Sequence, residues 1–298
     1  MGVAIPQIIT GDSAAGAAQL GYSVKFNSRG QYSQQFATEY STNDGCDLAF
    51  TPSSNGNRRT WTYSTWVKRS KINDSQQSNQ NTFMGIFSHV AAGAATYQTL
   101  VFDDGNDNLS VWISGTGGGG SVTAKSNAQY RDVNGWYNIV WVSDTTNATA
   151  ADRWKFYING VDLADATKGG GFATNNIASI SQDHDGFINS SSYEMTIGSQ
   201  RDYNTDNGRF FDGYMSQCVM VDGQALDASY FGFEDPMTGT WRPKKFNIED
   251  CPTADFGTNG FYLPMDGSGP IGKDQSGKGN DWTPRGLEGT SPMNMAEG

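Results

Sequence analysis

The residues that staple small domains, ligate transition metals or cross bilayers are scarce in this sequence. Its three cysteines, Cys46, Cys218 and Cys251, are odd in number, far apart and form no Cys-x-x-Cys pair. That pattern indicates neither a disulfide framework nor a zinc knuckle, and three reduced thiols are expected. The only histidines are His89 and His184. Neither a Gly-x-Ser-x-Gly elbow nor a His-Glu-x-x-His helix accompanies them, so both are expected to be structural or solvent-exposed. No apolar run reaches the length needed to span a bilayer. The opening "MGVAIPQIITGD" lacks a basic n-region, and Pro6 stands where a myristoylation signal has Ser or Thr. Cytoplasmic synthesis without Sec export is therefore expected, and sequons such as Asn147-Ala148-Thr149 carry no weight. Basic residues number 20 against 31 acidic ones, a formal net charge of −11. Such acidity disfavours a nucleic-acid groove or insertion into an anionic membrane, and is compatible with divalent cations.

What the chain has instead is glycine, at 37 residues, and aromatic side chains, at 12% of the sequence. This balance suits many short strands joined by tight turns better than long helices. At 298 residues it can bury the core of one large all-β domain or of two ordinary ones. In "RWKFYINGVDL", Trp154, Phe156 and Ile158 fall on one side of an extended chain, and Lys155 and Tyr157 fall on the other. Asn159-Gly160 then supplies the positive φ angles of a type I′ turn, so a half-exposed antiparallel hairpin is predicted.

Along the chain, Met1 to Gly21 shows no periodicity and reads as an extended arm that needs a partner to order it. Strand signals follow in "YSVKF", "CDLAF" and "RTWTYSTWVKR", the last reading as a central strand covered on both faces. "TFMGIFSHV", "TYQTLVF" and "NLSVWIS" continue the pattern, the latter two joined by the turn-forming "DDGND". "GTGGGGSV" interrupts it as a surface loop, lacking the Lys-Ser/Thr of a phosphate cradle. "GWYNIVWVS" restores it. After a loop-rich interval from Lys168 to Ser192 come "YEMTIGS" and "RFFDGYMSQCVMVDGQAL". Asp227 is expected to cap one helical turn that Gly232 ends. Beyond Phe233 the chain is less regular, with one strand candidate, "GFYLPM", and a Gly-, Asn- and Pro-rich tail expected to pack as loops. No fixed-period repeat is present. The organisation expected is an arm (1–21), a sandwich (22–233) and a C-terminal extension packing on it (234–298).

Many short strands with polar turns and almost no helix predict an all-β, antiparallel two-sheet sandwich. The order "TWTYSTWVKR", "GWYNIVWV", "WKFYINGV", "TIGS", "FFDGYMSQCVMVDGQAL" resembles the concanavalin A-like, or laminin G-like, jelly roll from about Tyr22 to Gly232. A narrower resemblance spans nearly the whole chain and is carried by "TPSSNGNRRTWTYSTWVKRS", "FDGYMSQCVMVDGQALDASYFG", "TWRPKKF", "GTNGFYL" and "KDQSGKGNDWTP". These are similar to tailed-phage virion proteins, common in marine phages, that carry this jelly roll in tail fibres or other surface appendages.

The enzymatic use of this fold is glycoside hydrolysis, which needs two carboxylates about 5 to 10 Å apart. No Glu, including Glu194, sits in the Glu-x-Asp-x-x-Glu spacing of the related retaining glucanases, so no catalytic residue is assigned. The resemblance implies calcium at a sandwich rim, where six to eight oxygen ligands come from loops. The candidate ligands are Asp103, Asp104 and Asp107 with Asn106, and Asp202 and Asp206 with Asn204 and Asn207. Neither set matches an EF-hand loop. The same side chains also serve as turn formers, and both readings stand at this point. Asp183-His184-Asp185 is a further metal or turn motif. Tyr97, Tyr193 and Tyr203 are candidates to stack on sugar rings, whereas Trp61, Trp141 and Trp154 are expected in the core.

The expected function is that of a non-enzymatic virion structural protein, a tail-fibre or appendage module acting in host attachment or particle assembly. It would be anchored through its arm to other virion proteins and repeated as a homo-oligomer, threefold on a fibre. The alternatives are a capsid decoration protein, a calcium-assisted lectin for a host surface glycan, and a glycoside hydrolase with unrecognised carboxylates.

Overall fold

Alternating side chains become two pleated layers in the computed structural model, which describes residues 20, 22–27, 45–72, 83–90, 96–103, 106–114, 122–201, 208–287 and 295–297. The arm before Leu20, the "GTGGGG" loop, Asp104, Asp202, Tyr203 and Asp206 lie outside the described residues. One sheet contains β1 (Tyr22–Phe26), β3 (Thr60–Arg69), β8 (Tyr137–Asp144), β9 (Trp154–Ile158), β10 (Val161–Asp162), β15 (Gly213–Asp222), β18 (Phe261–Leu263) and β20 (Met295–Glu297). The other contains β2 (Asp47–Phe50), β4 (Met84–Val90), β5 (Tyr97–Phe102), β6 (Asn108–Ser114), β7 (Val122–Gln129), β11 (Phe172–Asn175), β12 (Met195–Ile197) and β19 (Thr283–Arg285). Two short hairpins, β13 (Ser199–Arg201) with β14 (Gly208–Phe210) and β16 (Gly232–Glu234) with β17 (Trp241–Pro243), complete the strands. Every pairing is antiparallel, and the chain passes repeatedly from one layer to the other, giving the two-sheet jelly-roll sandwich expected from the sequence.

The first sheet runs β10-β9-β8-β3-β15-β1-β20, and the second runs β11-β7-β6-β5-β4-β12-β2-β19. Between them lies an aromatic core. Trp61 meets Trp141 edge-on at 4.9 Å, and Trp141 meets Trp154 at 5.3 Å. Tyr63 of β3 stacks on Phe87 of β4 at 4.1 Å, joining the layers. The three tryptophans assigned to the core are all buried there, as are Cys46 and Cys218; Cys251 is buried on the outer face of the first sheet, and all three cysteines are free thiols.

A second apolar cluster covers the outer face of the first sheet. Val140 and Val142 of β8 and Val219 and Val221 of β15 point away from the main core into Leu226, Phe231, Phe246 and Phe256. This accounts for the continuous burial of β3 from Trp61 to Val67, the two-sided strand predicted from its composition. The residues after Phe233 therefore pack on the sandwich, and they also build it: β18 joins β15, β19 joins β2 and β20 joins β1.

The Asn159-Gly160 turn is type I′ in form, with φ of 49° and 78°, and returns β9 to β10. A Cβ at Gly160 would lie 2.4 Å from the Trp241 ring, whose Nε1 donates to Asn138 Oδ1 at 3.1 Å. The glycine is thus required for conformation and for the approach of the C-terminal segment. Helical structure among the described residues is confined to three-residue 3-10 turns. Asp227 caps one of these by accepting from Ser229 N–H, but Phe231 ends it and Gly232 opens β16, where a Cβ would collide with Trp241. One long strand, β7, falls where the sequence suggested a break. Its inward residues Val122, Ala124 and Ser126 are small, so alternation is weak. Pairing with β6 holds it instead, helped by the Asn108 amide, which donates to Ser126 O at 2.8 Å and Ala128 O at 3.0 Å.

Candidate functional site

With the first sheet covered outside, attention falls on the outer face of the second. There the parity opposite to core residues Leu109, Val111 and Ile113 holds the buried Ser110 and the half-buried Trp112 and Ser114 on β6. Trp112 lies between Thr99 of β5 and Thr123 of β7 in the ladder. Phe83 packs edge-on against Trp112 at 4.5 Å, and Tyr97 does so at 6.5 Å. The Arg209 guanidinium sits 4.9 Å over the Phe83 ring. Phe83, Tyr97 and Trp112 are each half-buried. Polar groups flank them: Lys125 Nζ pairs with Asp103 Oδ2 at 2.8 Å, and Ser110 Oγ donates to the same oxygen at 3.1 Å. An aromatic cluster beside hydrogen-bonding groups can stack on the apolar face of a sugar ring or seat a partner's side chain.

Of the nominated aromatics, Tyr97 belongs to this cluster. Tyr193 instead packs edge-on against His89 at 4.9 Å. Trp112, Phe83 and Arg209 were not singled out from sequence. The one available signal was a tryptophan on the polar parity of "NLSVWIS".

The acidic turn between β5 and β6 has a donor set unlike that of a calcium site. Asp107, with φ of 58°, is 1% exposed, and its Oδ1 accepts from Arg69 Nη2 at 2.6 Å. Its Oδ2 accepts from Arg131 Nε at 3.0 Å. Arg69 is itself fully buried, donates from Nη1 to Tyr130 O at 2.6 Å and lies 4.4 Å over the Phe102 ring. Burial pulls the Arg69 pKa down, and Asp107 opposes that shift. Both oxygens of Asp107 and Oδ2 of Asp103 thus face cationic donors, whereas calcium requires its ligand oxygens to face the metal. At the far rim, Arg59 donates from Nε to Asp185 at 2.7 Å and from Nη1 to Asp183 at 3.5 Å, so the Asp-His-Asp motif clasps a guanidinium. Among the described residues no three His, Cys, Asp or Glu side chains come together in a metal-holding group.

Two buried polar centres lie behind that rim. His89 is fully buried, stacked on Phe187 at 5.6 Å, with neither ring nitrogen hydrogen-bonded among the described residues. Burial, aided by Arg58, pushes its pKa down to about 3. His184 is half-buried and is shifted down by burial as well. Opposite His89 in the ladder, Gln98 Oε1 accepts from the Phe187 and Ile188 N–H groups at 2.7 and 3.0 Å. Asp222 Oδ1 accepts from Asn57 N–H at 2.7 Å and Asn189 Nδ2 at 3.1 Å, and its Oδ2 accepts from Asn259 N–H at 3.0 Å. Burial raises its pKa against those hydrogen bonds. Glu194 is an ion-pair partner: Arg285 grips Asp47 with two donors at 2.8 and 2.9 Å and reaches Glu194 at 2.9 Å.

No family model matches the sequence, and a search of curated proteins finds no match. Among solved structures, the chain is similar to a putative carbohydrate-binding protein from Bacteroides ovatus, at 16% identity and a TM-score of 0.49, covering 91% of this chain and 61% of that one. It is also similar to a native heptameric SAP-like pentraxin from Limulus polyphemus, at 15% identity and 0.42, covering 70% and 80% of the two chains. The LG4-5 domains of the mouse laminin α1 chain align at 12% identity and 0.39, over 72% of this chain and 45% of that one. The chain therefore spans less than two thirds of the Bacteroides and laminin chains. Likeness at this level says nothing of ligands, and the sandwich rests on its own strand pairing.

Proposed function

We propose that this chain is a binding module of a phage particle that turns the Phe83–Tyr97–Trp112 face toward a host surface glycan. The observation that carries the reading is this half-buried aromatic cluster on the outer face of the second sheet, opposite in parity to its core residues. The particle assignment comes from the sequence resemblance to tailed-phage virion proteins. Attachment to the particle runs through the N-terminal arm, and copies assemble as a homo-oligomer. Pairing of β1 with β20 supports an attachment at one edge, since the strand that follows the arm lies beside β20 at the edge of the first sheet, whereas Trp112 belongs to the second.

The fold's chemistry fits non-enzymatic binding because its buried carboxylates have structural duties: Asp47 holds Arg285, Asp107 holds Arg69 and Asp222 orders rim loops. Calorimetry of the full chain against host surface polysaccharide tests the reading. Binding is expected for the wild type and a loss of about fivefold or more for Trp112→Ala, since stacking contributes on the order of 1 kcal/mol or more. Equal affinity in the variant refutes the assigned face. Labelling of native particles with antibody against the chain locates it independently, and absence from the particle refutes the virion role.

A further inference from the structure

We infer that Arg69 is the resident cation of the Asp103–Asp107 turn, a guanidinium delivered from the opposite sheet that organises this rim in place of a metal ion.

Two buried carboxylates in a tight turn need positive charge nearby, because an uncompensated buried anion is strongly unfavourable. Asp103 and Asp107 are 7% and 1% exposed. A calcium ion would meet that need with six to eight oxygens facing inward. Here, among the described residues, Arg69 and Arg131 on Asp107 and Lys125 on Asp103 meet it. Arg131 and Lys125 are partly exposed and could yield to a competing ion. Arg69 could not. It is the last residue of β3, held in the ladder opposite Gly213, and its side chain is 0% exposed. Its guanidinium is fixed by Tyr130 O, by the Phe102 face and by Asp107. A metal at Asp107 would have to expel that group from between the sheets.

The guanidinium also does what a spherical ion could not. From the first sheet it binds the β5–β6 turn and the residue after β7 together, and Tyr130 N–H closes the arrangement by donating to Asp107 O at 2.9 Å. Arg69 is thus a positioning residue for the rim next to Lys125 and Ser110, and the aromatic face should keep its shape at any calcium concentration. That last consequence rests on the glycan-binding reading; the tie itself does not.

The test measures the melting temperature of the full chain in excess EDTA and in excess calcium chloride. The wild type should melt at the same temperature in both. Arg69→Met should melt about 10 °C lower, because it takes from the buried Asp107 carboxylate its buried partner and leaves Arg131 at the surface side. The double variant Arg69→Met/Asp107→Leu should recover most of that loss, since an apolar pair leaves no unpaired charge. If Arg69→Met does not fold, the double variant and the wild-type calcium comparison still decide. A calcium-induced rise in the wild type that disappears in Asp107→Asn overturns the inference, as does an Arg69→Met chain as stable as the wild type. A rise that persists in Asp107→Asn arises elsewhere and supports it. A chain that passes these arms but binds no polysaccharide refutes the proposed function and leaves the tie intact.

Discussion

Acidification should destabilise this protein through His89 before most of its carboxylates are protonated. The folded pKa is pushed to about 3 from an ordinary 6.5, with burial as the main cause. The unfolded chain therefore takes up a proton below pH 6.5 that the folded chain refuses until about pH 3. Stability from this group is fully present above 6.5 and is lost as pH falls through that window. Each pH unit costs about 1.4 kcal/mol, so about 3 kcal/mol has gone by pH 4.5 and about 5 kcal/mol by pH 3. Because neither ring nitrogen is hydrogen-bonded among the described residues, His89→Leu removes the titration without stranding a partner. Urea unfolding, followed by tryptophan fluorescence at a series of pH values, should give a wild-type stability that falls faster than the variant's between pH 6.5 and 4. The difference in slope should be about one proton. Parallel curves would refute the assignment of a neutral, buried His89 and with it the closed rim formed by Phe187 and Tyr193.

Three other substitutions probe separate joints of the structure. Gly160→Ala forces a left-handed turn and a clash with the Trp241 ring, so denaturant titration should show a loss of about 2 to 3 kcal/mol. Arg285→Met leaves the fully buried Asp47 without its two-pronged partner and should cost about 3 kcal/mol, with Asp47→Asn/Arg285→Met less affected than the single change. Phe246→Ala opens the outer cluster between Phe231 and Phe256; a loss of about 3 kcal/mol in urea titration and new binding of a hydrophobic dye are expected, and an unchanged midpoint would show that the C-terminal cover is dispensable.

Local pattern was enough for the strands that carry strong alternation. β3, β8, β9 and β15 are all at the predicted places, and the Asn159-Gly160 turn has the predicted backbone, because period-two burial and positive-φ residues act within a few positions of the chain. β7 was not legible, since Val122, Ala124 and Ser126 gain their place from pairing with the neighbouring β6 and β11. The same holds for β19, where Arg285 finds Asp47 across more than two hundred residues of chain.

For the candidate site the division is sharper. Residue type alone nominated Asp103, Asp107 and Tyr97, but it could not reveal that a guanidinium from β3 would lie against Asp107, or that Phe83 and Trp112 would gather beside Tyr97. Alternation tells each side chain which way to point; what it meets there depends on which distant strand folds opposite. By itself the sequence determined a two-layer β sandwich with reduced thiols and little helix. Only the tertiary structure decided that one layer is covered by the C-terminal segment, that the other presents the aromatic face, and that the acidic turn is neutralised from within, because charge compensation and face coverage arise between segments far apart along the chain.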